Sequence, residues 1–286
     1  MKHFCIITNS DKNTNYDIAH HIVDFFEKKG CTCVIMENKM SQSAGIRHYT
    51  DVSKIPEDAE CAIVLGGDGT MIQAAIDLVH SKLPILGVNT GNLGFLTEVE
   101  RQDIDTALSR LIDDDYTIEN RIMLKEISYF KQPDSKSSCY ALNDIVVSKR
   151  GSGRLITVRV YLNDELADIY RADGLIISTP TGSTGYNLSA GGPIIEPGAS
   201  ILALTPINAH NLNSKGIILK ADDVIEIEMV ARRGVEDEAA YVSCDGDRTA
   251  KLLVGDRFIV ERANHTIKIC KVNKQSFLET MRKKMR

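Results

Sequence analysis

The chain has 286 residues, 43% of them hydrophobic and 26% charged, and a formal net charge of −5; it reads as a globular protein long enough for one large or two ordinary domains. The acidic balance argues against a general nucleic-acid binder and leaves any anionic ligand to local donors. Seven cysteines without a CxxC pair read as reduced, mostly buried thiols, the amino-terminal apolar run is too brief for a signal sequence, and no stretch reaches spanning length, so a cytoplasmic protein with no membrane partner is expected.

In chain order, residues 4–8 read as a strand and residues 16–29 as a helix with Ile18, Ile22, Phe25 and Phe26 on one face, closed by Gly30. A second strand spans 32–37. The polar stretch 38–59 has no clear period and is expected as a loop. Ala62-Ile63-Val64-Leu65 is short, β-branched at its centre and closed by glycines, which predicts a buried parallel strand. Gly66-Gly67-Asp68-Gly69-Thr70 follows, and then Met71, Ala74, Ala75 and Leu78 recur at helical spacing. A further strand at 84–88 runs into Asn89-Thr90-Gly91-Asn92-Leu93-Gly94-Phe95-Leu96, which could face the same crevice as the first glycine loop. After a helix over 104–113 the pattern turns to short β-branched runs. The expected architecture is therefore α/β plus β: an open parallel-sheet α/β domain over 1–115, then a mostly-β domain over 116–271. Residues 275–285 look helical, so 272–286 could return to the first domain, while the basic end, 282–286, reads as an exposed tail.

Gly66, Gly67 and Gly69 remove three Cβ atoms where a strand hands over to a helix, so that with Thr70 the loop can seat phosphate on backbone amides at the positive helix end. Asp68 would repel that anion, and a carboxylate there is better explained by chemistry. A tight turn with Asp68 capping the helix is the plainer alternative. The GGDGT string resembles the signature shared by NAD kinases, diacylglycerol and sphingosine kinases and, more distantly, phosphofructokinases, in which the Asp serves phosphoryl transfer to a hydroxyl. The chain has no GxxxxGK[ST], Rossmann GxGxxG or GxSxG string, which counts against a P-loop, a hydride-transfer enzyme and a serine hydrolase. No cluster with metal-ligand spacing appears, His20 and His21 being adjacent and without Cys partners.

Two later segments narrow the choice. Asn143 and Asp144 put an amide and a carboxylate at the head of a β-run, either as a turn or as contacts to a nucleotide. The string DGLIISTPTGSTGYNLSAGGPI, from Asp173, ends an apolar strand in a dense run of hydroxyls and glycines around Tyr186, whose ring can stack on a base. With GGDGT, NTGNLGFL, the Asn-Asp pair, this string and a late Cys244-Asp245-Gly246 turn in that order, nearly the whole chain resembles the NAD kinase family.

The resemblance implies an α/β domain followed by a β-sandwich-like dinucleotide-binding and oligomerisation domain, with the site between them, and a homodimer or homotetramer. It implies ATP as donor, with Mg²⁺ or another divalent cation, and NAD as acceptor. Asp68 becomes the general base for the adenosine 2′-hydroxyl and touches NAD together with Gly69, while Gly66, Gly67, Gly69 and Thr70 form the phosphate loop. Asn143 and Asp144 contact the dinucleotide where the family usually has Asn-Glu. Arg154, Arg171 and Asp173 match positions near the nicotinamide half. Thr181, Thr184, Gly185, Tyr186, Asn187, Leu188 and Ser189 match the segment that meets adenine and its ribose. Two alternatives stand beside this reading: a lipid or sphingoid kinase of the GGDGT group, and a non-catalytic NAD(P) sensor.

Overall fold

A computed structural model covers the chain and describes all residues except 9–12, 37, 44, 45, 92, 93, 130–137, 152, 153, 211–214, 232–238, 274, 285 and 286, and the side chains of 13, 14, 38–43, 46–48, 129, 248 and 249. The chain forms two compact units: residues 1–42, 47–121 and 266–286, and residues 43–46 and 122–265. The sequence pattern puts the boundary at 115/116. The two units part a few residues later, inside the long strand Thr117–Tyr129, where the alternation of side chains carries no break.

In the first unit β1 (His3–Thr8), α1 (Asn13–Lys28) and β2 (Thr32–Ile35) follow the apolar periods of the sequence. Gly30, at φ +73°, lets the chain leave α1, and the Cys31 amide returns to the Phe26 carbonyl at 2.9 Å. The stretch expected as a loop holds two paired strands, β3 (Asn38–Ser43) and β4 (Ile46–Thr50), and a 3-10 turn at Val52–Lys54. Polar strands pair through their backbones and need no apolar alternation, which is why the pattern hid them. Then come β5 (Cys61–Gly66), α2 (Asp68–Asp77), β6 (Ile85–Asn89), β7 (Val99–Glu100) and α3 (Ile104–Ile112). Strands β2, β1, β5 and β6 lie side by side, all parallel, and every residue of β5 and β6 is buried. Ile18, Ile22 and Phe26 of α1 and Leu108 and Leu111 of α3 join them in one core, where Phe4 and Phe26 stack with centroids 3.9 Å apart.

The second unit is built from β8 (Thr117–Tyr129), which enters it from the first, β9 (Ser138–Ala141), β10 (Asp144–Lys149), β11 (Ile156–Leu162), β12 (Glu165–Ala172), β13 (Gly174–Ser178), the single turn α4 (Tyr186–Ser189), β14 (Ile201–Ile207), β15 (Ile217–Lys220), β16 (Ile225–Met229), β17 (Ala239–Cys244), β18 (Asp247–Leu253) and β19 (Arg257–Lys271). One antiparallel set runs β12, β11, β16, β19; the other runs β15, β14, β13, β10, β17, β18. Val158 and Val160 of β11 and Ile225 and Ile227 of β16 share a core with Ile145, Val147, Leu175 and Ile177, so the two sheets pack face to face. Cys139 of β9 and Cys244 of β17 meet in that core, their Cα atoms 6.6 Å apart. A separation of 105 residues leaves no spacing signal to read. The chain returns to the first unit with the end of β19, where Ile269 pairs with Ile85 of β6, and with α5 (Phe277–Lys284).

Phe26 is wholly buried against Phe4. Phe26→Ala is expected to lower unfolding free energy by about 3–5 kcal/mol, measured as a shifted midpoint in urea; a change under about 1 kcal/mol would show that this helix face does not carry the core.

Candidate active site

The apolar run of β5 ends at Gly66 because Thr70 packs back onto it: a Cβ at Gly66 would overlap the Thr70 side chain. Gly67 is the N-cap of α2 and provides no side-chain cap, so Asp68 opens the helix. Asp68 does not cap it. Its Oδ2 accepts from the Phe95 amide at 2.6 Å, and its Oδ1 accepts from the Leu96 amide at 2.9 Å and the Thr97 amide at 3.4 Å. These are charge-assisted bonds that fix the carboxylate's direction. Gly94 permits the approach, since a Cβ there would overlap Asp68 Oδ1. The Thr90 amide also donates to the Gly66 carbonyl at 3.2 Å. The two glycine loops are thus bonded to each other, with Asn92 and Leu93 outside the described residues.

Above Gly67 and Gly69 a Cβ would meet nothing within 4 Å, so both glycines present open backbone. Gly69 and Thr70 line a cleft of about 310 Å³ together with Ile7 and Thr8 at the end of β1, Tyr49 and Thr50 of β4, and Gln73 and Ala74 of α2. It lies beyond the carboxyl ends of parallel strands, where open α/β sheets bind ligands. Asp77 holds the β4 side in place by accepting the Tyr49 and Thr50 amides at 3.1 and 2.9 Å.

In the second unit Asn143 and Asp144 sit where β9 gives way to β10, and a second acid clamps their backbone. Asp245 accepts the amides of Leu142 at 2.6 Å and of Asn143 and Asp144 at 2.9 Å each. It does so from a hairpin turn in which Asp245 and Gly246 have φ of 46° and 88°, the positive values an Asp-Gly turn requires. The Asn143 carbonyl accepts from the Thr179 amide at 2.9 Å, and a Cβ at Gly182 would overlap the Asn143 backbone. Asn143 and the segment around Thr181, Thr184 and Gly185 are therefore neighbours. Tyr186, 47% exposed, and Ser189 face outward, with Thr184 and Leu188 half-buried.

Asn187 has a different place from the one the resemblance gives it. It is fully buried, its Nδ2 donates to the Ser183 and Pro193 carbonyls at 3.3 and 2.9 Å, and its Oδ1 accepts from Thr205 Oγ1 at 2.6 Å. Its amide braces the segment from within. Asp173 is half-buried and bonded to Lys149 Nζ at 2.6 Å and Asn208 Nδ2 at 3.1 Å, partners that hold its carboxyl below the usual range. Arg154 and Arg171 are exposed.

Sequence reasoning missed Asp245 as a clamp, although its Asp-Gly turn was visible. It also missed Lys284, read as part of an exposed tail: its Nζ lies 3.9 Å from the centroid of the Phe95 ring. Burial, and after it the Asp245 charge, push Asp144 up to about 7. Burial likewise pushes Asp245 up to about 6, against the three amides that lower it. An acid whose folded pKa is raised stabilises the fold below its unfolded value, and that contribution is lost as pH rises through the folded one. Asp144→Asn is accordingly expected to raise the melting temperature more at pH 8 than at pH 5, measured by calorimetry; an equal effect at both would show that Asp144 does not titrate between them.

Comparison with known proteins bears on this geometry directly. Residues 4–116 match the family model described as the ATP-NAD kinase N-terminal domain, and residues 142–272 match the ATP-NAD kinase C-terminal domain. The chain is 47% identical over 286 residues to an NAD kinase of Agathobacter rectalis, covering 100% of this chain and 99% of that protein. It is 44% identical to an NAD kinase of Lachnoclostridium phytofermentans, with 99% of each covered. Among solved structures, yeast NADH kinase complexed with NADH shares the fold at a TM-score of 0.85 and 22% identity, covering 100% of this chain and 87% of that one. An NAD kinase from Archaeoglobus fulgidus in complex with ATP gives a TM-score of 0.74 at 22% identity, with 98% of each chain covered. Full-length relatives well above 30% identity, matching in both units, establish that the chain belongs to the ATP-NAD kinase family.

Proposed function

We propose that the protein transfers the γ-phosphoryl group of ATP to the adenosine 2′-hydroxyl of NAD, making NADP, with Asp68 as general base. The observation that supports this is the half-exposed Asp68 carboxylate, held by the Phe95 and Leu96 amides next to the open backbone of Gly67 and of Gly69, the latter lining the cleft. A carboxylate oxygen accepts more than one hydrogen bond, so the amides orient Asp68 and still leave lone pairs for a hydroxyl proton. A secondary alcohol is a weak nucleophile, and taking its proton as the O–P bond forms contributes about 10²–10⁴ in rate. The phosphoryl group needs positioning and charge neutralisation, which Gly69 and Thr70 with their neighbouring amides are suited to begin.

Mg²⁺ or a similar ion is proposed to arrive as part of the substrate, on the triphosphate. Such an ion keeps most of its waters and takes few protein ligands, and among the described residues no three His, Cys, Asp or Glu side chains converge. Asn143, Asp144, Asp173, Arg154, Arg171 and the segment from Thr181 to Ser189 are proposed to bind the dinucleotide, Tyr186 by its exposed ring and Asn187 only by bracing its neighbours. Asp144, buried at the head of β10 and shorter than the family's usual Glu, is proposed to contribute there with a shorter reach than that Glu. Family membership over the full chain sets aside the lipid-kinase alternative. Among the described residues no helix is long and apolar enough to cross a membrane, and cytoplasmic residence is proposed on the composition.

The test mixes pure protein with NAD, ATP and Mg²⁺ and follows NADP. Asp68→Asn, which keeps one acceptor oxygen, sets an NH2 against one of the amides and cannot take a proton, is expected to lower kcat by about 10²–10⁴ and to lower the melting temperature somewhat. Gly94→Ala, which pushes on Asp68 from behind, is expected to lose at least about tenfold on the same scale. An unchanged kcat in Asp68→Asn would remove Asp68 from the proton transfer, and saturable NAD binding without turnover in the wild type would favour the sensor. A homodimer or homotetramer is also proposed; sedimentation equilibrium should give a multiple of the 31.6 kDa chain, and a single-chain mass at micromolar protein would exclude it.

A further inference from the structure

Helix α5 brings the basic end of the chain to the loop whose amides hold Asp68. Lys284 Nζ is buried, sits 3.9 Å from the centroid of the Phe95 ring, and has no hydrogen-bond partner among the described residues. Phe95 is the residue whose amide holds Asp68 Oδ2 at 2.6 Å, so the ammonium and the carboxylate flank one residue of the same loop. A cation on a ring face is favourable, but the ring satisfies none of the three N–H donors, and an ammonium withdrawn from water with its donors unused is costly. The arrangement is balanced when something rich in acceptor oxygens enters beside Asp68. The chain has no P-loop lysine to meet such a group.

We infer that Lys284 is a further substrate-contacting residue, whose ammonium donates to the oxygens of the phosphoryl group in transit between ATP and the hydroxyl that Asp68 deprotonates. The inference rests on the reaction proposed above. In that step the O2′–Pγ bond forms and the bond from Pγ to the β,γ-bridging oxygen breaks, its electron pair leaving with ADP. The hydroxyl proton passes to Asp68, and Lys284 keeps its own protons and spreads its charge over the equatorial oxygens. Two charged groups act on Lys284: Asp68 from α2, which favours the ammonium, and Lys271 from β19, itself paired with Glu98 at 3.4 Å, which disfavours it. Burial outweighs both and brings the Lys284 pKa down to about 8. The free enzyme therefore loses this positive charge as pH rises through about 8.

The experiment compares the full-length wild type with Lys284→Met, which retains the stem packing, and Lys284→Arg, which retains charge and ring contact. Binding of a non-hydrolysable Mg·ATP analogue is measured by calorimetry, and kcat and KM for ATP and NAD separately by NADP formation. Lys284→Met is expected to weaken analogue binding and kcat/KM for ATP by about 10- to 100-fold, the scale of one charged hydrogen bond, with KM for NAD within about twofold. Lys284→Arg should recover most of the loss. The wild-type kcat/KM for ATP should fall above about pH 8, and Lys284→Met should lack that decline. Unchanged ATP parameters in Lys284→Met would overturn the inference, as would an equal loss in both variants accompanied by a lowered melting temperature, which would mark a packing role. A wild type that binds the analogue through Lys284 and makes no NADP would instead overturn the proposed reaction and leave the cation site standing.

Discussion

The structure of the first unit turns on one carboxylate held by backbone. Gly66 and Asn89 are cross-strand partners at the ends of β5 and β6, so the loops that follow them leave the sheet side by side. Asp68, two positions beyond Gly66, meets the amides of residues 95–97 in the neighbouring loop. Backbone donors cannot change rotamer, and they therefore fix an acid's direction more firmly than a lysine or arginine partner would. The surrounding choices serve that bond: Gly94 for the close approach, Gly66 for the return of Thr70, and parallel strands buried on both faces to hold the two loops in register.

The same device appears in the second unit with a different outcome. Asp245 takes the amides of residues 142–144 as Asp68 takes those of 95–97. Both acids are half-buried, but Asp68 opens a helix beside the open backbone of Gly67 and Gly69, whereas Asp245 sits in a tight hairpin turn as a strut that shapes the Asn143 turn, with desolvation pushing its pKa up to about 6. What separates a candidate base from a structural acid here is the backbone around it, because the donors are of one kind. Asn187 makes a related point among amides: it sits between the exposed Tyr186 and Ser189 and spends its hydrogen bonds on Ser183, Pro193 and Thr205.

Much of this was legible in the sequence where period and punctuation carry it. The face of α1, the buried run of β5 and the handover at Gly66 follow from spacing alone, and the family resemblance rests on motifs in a fixed order. The β3–β4 pair was not legible, because its polar residues pair by backbone without an apolar stripe. Partnerships across the chain were not legible either: Asp68 with residues 27 to 29 positions away, Asp245 with a turn about a hundred residues earlier, Lys284 with Phe95. A short basic tail reads as solvated until the fold supplies the ring it rests on.

The account stands on the direction of the Asp68 carboxylate, and a crystal structure of the protein with NAD bound tests it most directly. The adenosine 2′-oxygen should lie about 2.6–3.2 Å from one Asp68 oxygen while the Phe95 and Leu96 amides keep their hold. An Asp68 turned away from the coenzyme, or a 2′-hydroxyl bonded only to other groups, would contradict it.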